Sequence, residues 1–102
     1  MGVMIEIALT ADNQRFRITL RGIEYQMTLL WRDMAGWILD VASSTGADIV
    51  NGIPLVTGTN LLQPYRHLGL NGALVVASDV DIYAVPTKEN LGSGGHLYFI
   101  AN

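Results

Sequence analysis

The sequence contains no cysteine, a single lysine and only three prolines among its 102 residues. Because cysteine is missing, the chain has neither a disulfide nor a thiolate for catalysis or metal binding. Six basic residues stand against nine acidic ones, and the net charge at pH 7 is −3. A nucleic-acid-binding surface needs many lysines and arginines to neutralise phosphates. We therefore expect no nucleic acid among the partners of this chain.

Long apolar runs and dense charge are missing as well. No apolar run approaches the roughly 18 residues that a membrane-spanning helix needs, so we expect no membrane span. Charged residues make up 15% of the chain and hydrophobic residues 50%. This balance excludes a disordered chain, which would combine high charge with low hydrophobicity. We predict a single domain over residues 1–102, with apolar surface left for a partner to cover.

What the sequence does contain is a regular alternation of apolar and polar residues from residue 14 to residue 42. Such alternation is typical of strands that are packed on one face. A two-residue turn at Arg21-Gly22 joins two of these strands and places their apolar side chains on the same face. The predicted cross-strand pairs are Leu20 with Ile23, Ile18 with Tyr25, and Phe16 with Met27.

A second hairpin follows directly from the first. Its loop is predicted over residues 32–36, where Gly36 can take the positive φ that closes such a loop. Pairing Trp31 with Trp37 across this loop keeps the apolar face continuous. We therefore predict that both indole rings belong to the core.

The remaining elements are shorter. Residues 49–57 are predicted to form an edge or bulged strand, because Pro54 has no N–H to donate. We expect one short helical segment within residues 59–68, a wholly apolar central strand at residues 73–78, and a strand at residues 97–100 that closes the sheet. The predicted fold is mainly β, a small antiparallel β-barrel or sandwich with one short helical segment.

The chemistry-bearing residues form no recognisable catalytic or ligand set. His67 and His96 lie far apart and lack the spacing of a metal site. The Asp-Val-Asp at residues 79–81 lacks the glycine and distal glutamate of a calcium loop, and residues 92–95 lack the Lys-Ser/Thr pair of a phosphate loop. No nucleophile elbow is present. We predict no catalytic, cofactor-binding or metal-binding residue, and we do not expect an enzyme.

Side chains suited to assembly contacts occur in three places. A basic stripe is predicted on the outer face of the first hairpin, where it either meets solvent or pairs with an acidic partner surface. The segment after Pro64 and the glycine-rich loop before His96 supply the other two. The candidate contact residues are Arg15, Arg17, Arg21, Tyr65, Arg66, His67, Asn90 and Ser93.

The aromatic residues permit a different interpretation. A small β-barrel binding module could stack a ligand on Trp31, Trp37 and Tyr65, as aromatic residues do in binding barrels. This competes with the core role of the two tryptophans, because a ring packed in the core is not available to a ligand. The sequence alone leaves both interpretations open.

An ordered series of landmarks gives the sequence a family resemblance. The series comprises Trp31 and Trp37 around their turn, Gly-Ile-Pro-Leu-Val-Thr-Gly at residues 52–58, Tyr-Arg-His-Leu-Gly at residues 65–69, and Asn-Leu-Gly at residues 90–92. It resembles the baseplate plug family of contractile-tailed bacteriophages over nearly the whole chain. The resemblance implies a virion structural protein, a plug or central hub component that seals or lines the axis between the tail tube and the hub or spike.

The resemblance also implies partners and a location. The expected partners are other phage tail proteins, namely the tail tube, the baseplate hub and the spike or needle. Further copies of the chain are expected too, with a trimer favoured because axial tail proteins must match threefold or sixfold neighbours. The implied location is the tail baseplate of the virion, after synthesis in the cytoplasm of a host bacterium. No catalytic residue carries over from the family.

Overall fold

The computed structural model describes residues 4–68, 72–79 and 84–101, with the backbone alone for residues 66–68. The described residues form seven strands and one 3₁₀ helix, Gln63–Leu68. The strands are β1 Met4–Ile7, β2 Gln14–Leu20, β3 Ile23–Arg32, β4 Gly36–Ser43, β5 Asp48–Pro54, β6 Gly72–Ser78 and β7 Gly95–Ala101. They make two antiparallel sheets, in the orders β2-β3-β4-β5 and β1-β7-β6. The predicted mainly β class is confirmed, in its sandwich-like form and not as a closed barrel.

The β2–β3 hairpin has the register that the alternation predicts. Leu20 pairs with Ile23, and the pairs continue through Ile18 with Tyr25. Arg21 and Gly22 have φ values of 55° and 79°. Two successive positive φ values are the mark of the tight turn that matches the twist of a two-stranded ribbon. The turn therefore fixes the register, and the register turns the apolar side chains inward.

The β3–β4 hairpin also keeps its predicted pairs, including Trp31 with Trp37. Its loop is shorter than predicted, because Arg32 pairs with Gly36 and leaves only residues 33–35 outside the ladder. Gly36 has the expected positive φ, at 84°. Met34 has a positive φ as well, at 78°, and its side chain is fully exposed.

Strand β5 is an edge strand with an irregular ladder, as its proline predicts. Its register against β4 shifts on both sides of Val41. The Gly52 N–H donates to Oδ1 of Asp40 over 2.7 Å, and the Leu55 N–H donates to the Trp37 carbonyl over 3.0 Å. The irregular strand thus stays attached to β4 through a side chain and through a backbone contact beyond the proline.

The second sheet differs from the prediction. The central strand is β7, with β1 and β6 on its two sides, so the prediction that residues 73–78 form a central strand is wrong. The outer edge of β6 is covered by an irregular segment: the Leu61 N–H donates to the Leu74 carbonyl over 2.8 Å, and Thr57 forms a parallel bridge with Val76. That cover explains the wholly apolar sequence of β6. Strand β1 is short and mostly exposed, and its sequence does not predict it.

The helical segment is a 3₁₀ helix that begins at Gln63. One short helical segment within residues 59–68 is therefore confirmed. Asn60 accounts for the late start, because its side-chain Oδ1 accepts hydrogen bonds from the Leu62 and Leu74 N–H groups. The helix is kinked at Tyr65, where φ is −116° and ψ is 22°.

The two sheets share one hydrophobic cluster. Among its fully buried side chains are Met27, Leu29 and Leu39 from the four-stranded sheet and Leu97 and Phe99 from the three-stranded sheet. Trp37 is 2% exposed and belongs to the cluster, whereas Trp31 is only partly buried and packs against it. The core prediction thus holds for Trp37 and is too strong for Trp31. No polar or charged side chain is buried within the described part of the chain.

Candidate assembly surface

The predicted basic stripe lies on the exposed side of the β2–β3 hairpin. Arg15 and Arg17 alternate with inward-facing residues along β2, and Arg21 is in the turn. The Arg15 Nε donates to the Thr28 hydroxyl over 3.2 Å, and the Arg17 guanidinium is 3.7 Å from the Glu24 carboxylate. Both partners of the Arg17 ion pair are well exposed, so the pair adds little to stability. Arg15 and Arg17 thus remain exposed to solvent despite these contacts.

Tyr65 lies beside an apolar groove at the other end of the same sheet. The groove is lined by residues from the end of β5, from the segment that follows it and from the 3₁₀ helix, among them Ile53, Val56 and Pro64. The Tyr65 ring is partly buried and packs against the core cluster. Arg66 and His67 have their backbone in the 3₁₀ helix, and their side chains lie outside the described part of the structure.

Asn90 organises the loop that precedes β7. Its side-chain Oδ1 accepts from the Thr87 N–H over 2.7 Å, and its carbonyl accepts from the N–H groups of Ser93, Gly94 and Gly95, each over 3.0 Å. The Ser93 hydroxyl donates to that same carbonyl over 3.1 Å and remains exposed. Asn90 therefore holds the loop in shape, and Ser93 is the more exposed of the two.

The candidate contact residues lie on three different elements. The arginines are on β2 and its turn, Tyr65 is on the 3₁₀ helix, and Asn90 and Ser93 are in the loop before β7. They do not converge on one pocket. An extended set of surface features fits contacts with several neighbours better than it fits one small ligand.

The three aromatic side chains do not share one stacking platform, because Trp31 and Trp37 line one groove and Tyr65 lines another. The Trp37 ring is buried, and its Nε1–H donates to the Thr87 carbonyl over 2.8 Å. Trp31 meets it edge to face, with the ring centroids 5.5 Å apart and the planes at 70°, and donates its own Nε1–H to Asp33 over 2.9 Å. Trp37 is only 2% exposed, so little of its ring is offered to a ligand in the groove that it lines with Trp31.

Sequence reasoning missed one cluster of titratable side chains. His96 on β7 contacts Glu6 on β1 through Nδ1 at 2.6 Å and Asp79, after β6, through Nε2 at 3.0 Å. The hydrogen bonds to Asp79 and then to Glu6 raise the pKa of His96 above 6.5, while its partial burial acts in the opposite direction. Glu6 pairs with Tyr98 in the ladder, so it lies diagonally opposite His96 on the same face. Only the β1–β7 pairing, absent from the prediction, reveals this.

The described part of the chain has neither a metal-binding cluster nor a membrane-spanning helix. Within residues 4–68, 72–79 and 84–101, no group of three or more histidine or acidic side chains could hold a metal ion. Asp81, from the Asp-Val-Asp sequence, lies outside these ranges. In the same ranges, no helix has the length and apolar character to cross a membrane.

Comparison with protein-family models gives a match over nearly the whole chain. The family model described as cyanophage baseplate Pam3 plug gp18 matches residues 4–102. A search of curated proteins found no match to the chain. The matched range includes all the described strands of both sheets, so the likeness extends over the fold and is not confined to one motif.

Proposed function

The chain belongs to the phage baseplate plug family, and from this premise we propose that it seals or lines the axis of a contractile-tail baseplate, between the tail tube and the hub or spike. Membership itself makes the chain a structural component of a phage tail baseplate, in contact with other tail proteins in the virion. The family match over residues 4–102 is the observation that carries the proposal. The proposal includes synthesis in the cytoplasm of a host bacterium and a purely structural role without enzymatic activity.

The fold supports this role through its core and its edges. Buried residues of both sheets belong to one hydrophobic cluster, which supports our proposal that residues 1–102 form a single domain. Among the described strands, β2 and β5 are the two edges of the four-stranded sheet. An edge strand offers backbone N–H and C=O groups to a neighbouring chain. We propose that such edges take part in a homo-oligomer on the tail axis, a trimer in the simplest case.

Charge would set the orientation of the chain toward its neighbours. Arg15 and Arg17 form an exposed basic face on β2, while the chain as a whole carries a net charge of −3. A basic face on an acidic protein favours one docking orientation over others. We propose that this face meets an acidic surface of a tail protein or of a further copy of the chain.

The other proposed contacts come from the 3₁₀ helix and from the loop before β7. Tyr65, Arg66 and His67 are on the helix, next to the apolar groove. Ser93 is exposed on the loop that Asn90 holds together. Met34 adds a further feature, because a fully exposed apolar side chain at a positive φ gains nothing from the fold of the isolated chain.

Co-expression with the tail-tube and hub proteins of the same genome tests the proposal, with native mass spectrometry as the readout. We expect a complex that contains several copies of the chain. Replacing both Arg15 and Arg17 with glutamine should weaken that complex by removing the basic face. The matched control replaces Arg32 and Lys88 with glutamine, which removes two exposed positive charges elsewhere and should leave the complex intact. A chain that stays monomeric and ignores both partners would refute the proposal.

A further inference from the structure

The Glu6–His96–Asp79 cluster joins three separate parts of the three-stranded sheet. Glu6 is on edge strand β1, His96 is on central strand β7, and Asp79 directly follows β6. The contact between Glu6 and His96 spans 90 positions of the sequence. The His96 side chain is 15% exposed, whereas the carboxylates of Glu6 and Asp79 are 48% and 64% exposed. The imidazole is therefore largely buried between two carboxylates that are themselves exposed to solvent.

The hydrogen-bonding geometry requires a particular protonation state. Both ring nitrogens of His96 face carboxylate oxygens, Nδ1 at 2.6 Å from Glu6 and Nε2 at 3.0 Å from Asp79. An ionised carboxylate only accepts hydrogen bonds, and a neutral imidazole donates only one. Only the doubly protonated imidazolium donates to both carboxylates. When the proton leaves, one of the two ring nitrogens presents a lone pair to an anion.

Few other groups face the imidazole. From β1 the facing charge is Glu6, and from the end of β6 it is Asp79. On β7 itself the Tyr98 ring lies with its centroid 6.1 Å from that of His96, tilted by 37°. Both charged groups named here are negative, so the positive charge of the imidazolium is what balances them.

Strand β1 has little else to hold it on its exposed side. It is four residues long, and only Ile7 among them is buried. Met4 and Ile5 are exposed apolar residues. Short exposed edge strands open at lower free energy than core strands do. Because the His96 side chain is only 15% exposed, its contact with Glu6 is less screened by solvent than the Arg17–Glu24 pair, and it adds to the few contacts that hold this strand.

We propose that Glu6, His96 and Asp79 form a proton-operated latch that holds β1 against β7, and that loss of the His96 proton frees β1 and uncovers the edge of β7. The uncovered edge would offer backbone hydrogen-bonding groups to another chain. The latch would thus couple the pH around the protein to the availability of a strand edge.

The sign of the effect follows from the direction of the pKa shift. Asp79 and Glu6 raise the pKa of His96 in the folded chain, and opening β1 removes the contribution of Glu6, so the closed state binds the proton more tightly than the state with β1 open. The latch contribution is fully present below pH 6.5 and is lost as the pH rises through the folded-state pKa. Only the part of the shift that Glu6 supplies is lost when β1 opens, because Asp79 stays beside His96. Each unit of that part corresponds to about a tenfold change in the opening equilibrium of β1.

Amide hydrogen exchange between about pH 5 and pH 9, corrected for the intrinsic rates, tests the latch together with an NMR titration of His96. In this range carboxylates are in general charged. We expect His96 to titrate above 6.5 and the protection of the β1 amides to fall across the same transition. The amides of β3, in the other sheet, are the internal control and should show no such transition.

Glu6→Gln is the decisive variant. A glutamine amide can donate to a neutral Nδ1 while Nε2–H still donates to Asp79, so the contact no longer needs the extra proton. We expect a lower His96 pKa and β1 protection that depends less on pH than in the wild type. Asp79→Asn should also lower the His96 pKa, but it keeps the ionic contact between Glu6 and His96. Glu24→Gln removes the same charge from the other sheet and should behave as wild type. A wild-type His96 that titrates at or below 6.5, or β1 protection that is independent of pH in the wild type, would overturn the latch.

Discussion

Trp37 is the residue that ties the second hairpin to the rest of the molecule. Its ring is 2% exposed, it meets Trp31 edge to face, and its Nε1–H donates to the Thr87 carbonyl. The side chain thus combines apolar burial, an aromatic pair and a hydrogen bond to a segment 50 residues away. Its loss should affect the core more than the loss of its neighbour Trp31.

The first prediction compares the two tryptophans. Trp37→Ala should destabilise the protein by about 3–5 kcal/mol, because it empties a large buried aromatic site. Trp31→Ala should destabilise it clearly less, because this ring is already partly exposed. Urea unfolding followed by circular dichroism measures both. A Trp37→Ala variant within about 1 kcal/mol of wild type would mean that the ring is not a core element.

The second prediction concerns two glycines with the same backbone conformation. Gly92 and Gly46 have φ values of 88° and 89°. A Cβ atom at Gly92 would overlap the carbonyl oxygen of Leu9, whereas at Gly46 it would meet nothing within 4 Å. Gly46→Ala should cost about 1–2 kcal/mol for the left-handed conformation alone. Gly92→Ala should cost a further 1–3 kcal/mol, roughly the penalty of overpacking.

Equal unfolding free energies for the two alanine variants would contradict this account. In that case the loop before β7 would not lie against the segment that follows β1. Comparing the two variants cancels the contribution that glycine makes through the flexibility of the unfolded chain.

At the level of elements, the hairpins follow from local sequence and the second sheet does not. The β2–β3 register follows from strict alternation on either side of Arg21-Gly22, and the structure has that register. Strand β6 is apolar because residues 57–61 cover its outer edge, which is a contact between distant segments. No local pattern distinguishes a covered edge strand from a central one. The sequence therefore predicts that β6 is a strand, but it does not predict where β6 lies in the sheet.

The surface side chains also differ in whether the local sequence predicts their positions. The outward direction of the hairpin arginines follows from the period of two along β2 and is found in the structure. The Glu6–His96–Asp79 cluster forms because β7 pairs with β1, near the start of the chain, and because Asp79 lies just beyond β6. Each residue alone has no distinguishing spacing. Such a cluster can be predicted only once the strand order is known.

The third prediction concerns the tip of the β3–β4 hairpin. Met34→Asn should stabilise the isolated protein by up to about 1 kcal/mol, because asparagine tolerates the left-handed conformation better than methionine does. The fully exposed Met34 side chain has no packing to lose. Ala35→Asn is the matched control on the same loop, and it should bring no gain because Ala35 does not have a positive φ. Thermal unfolding of the three proteins measures the difference, and a Met34→Asn variant less stable than wild type would contradict it.

At the level of the whole molecule, the fold concentrates its specific features on its surface. The core contains only apolar side chains within the described residues, while basic side chains, exposed apolar residues and strand edges lie outside. This distribution is compatible with the structural role of the baseplate plug family.

An electron cryomicroscopy reconstruction of the baseplate in purified virions tests the central claim most directly. We expect density for the two-sheet fold on the tail axis, between the tube and the hub or spike, with several copies related by the axial symmetry. The basic face of β2 should contact an acidic surface of a neighbour. A reconstruction in which this chain is absent from the baseplate, or lies away from the axis, would contradict the account.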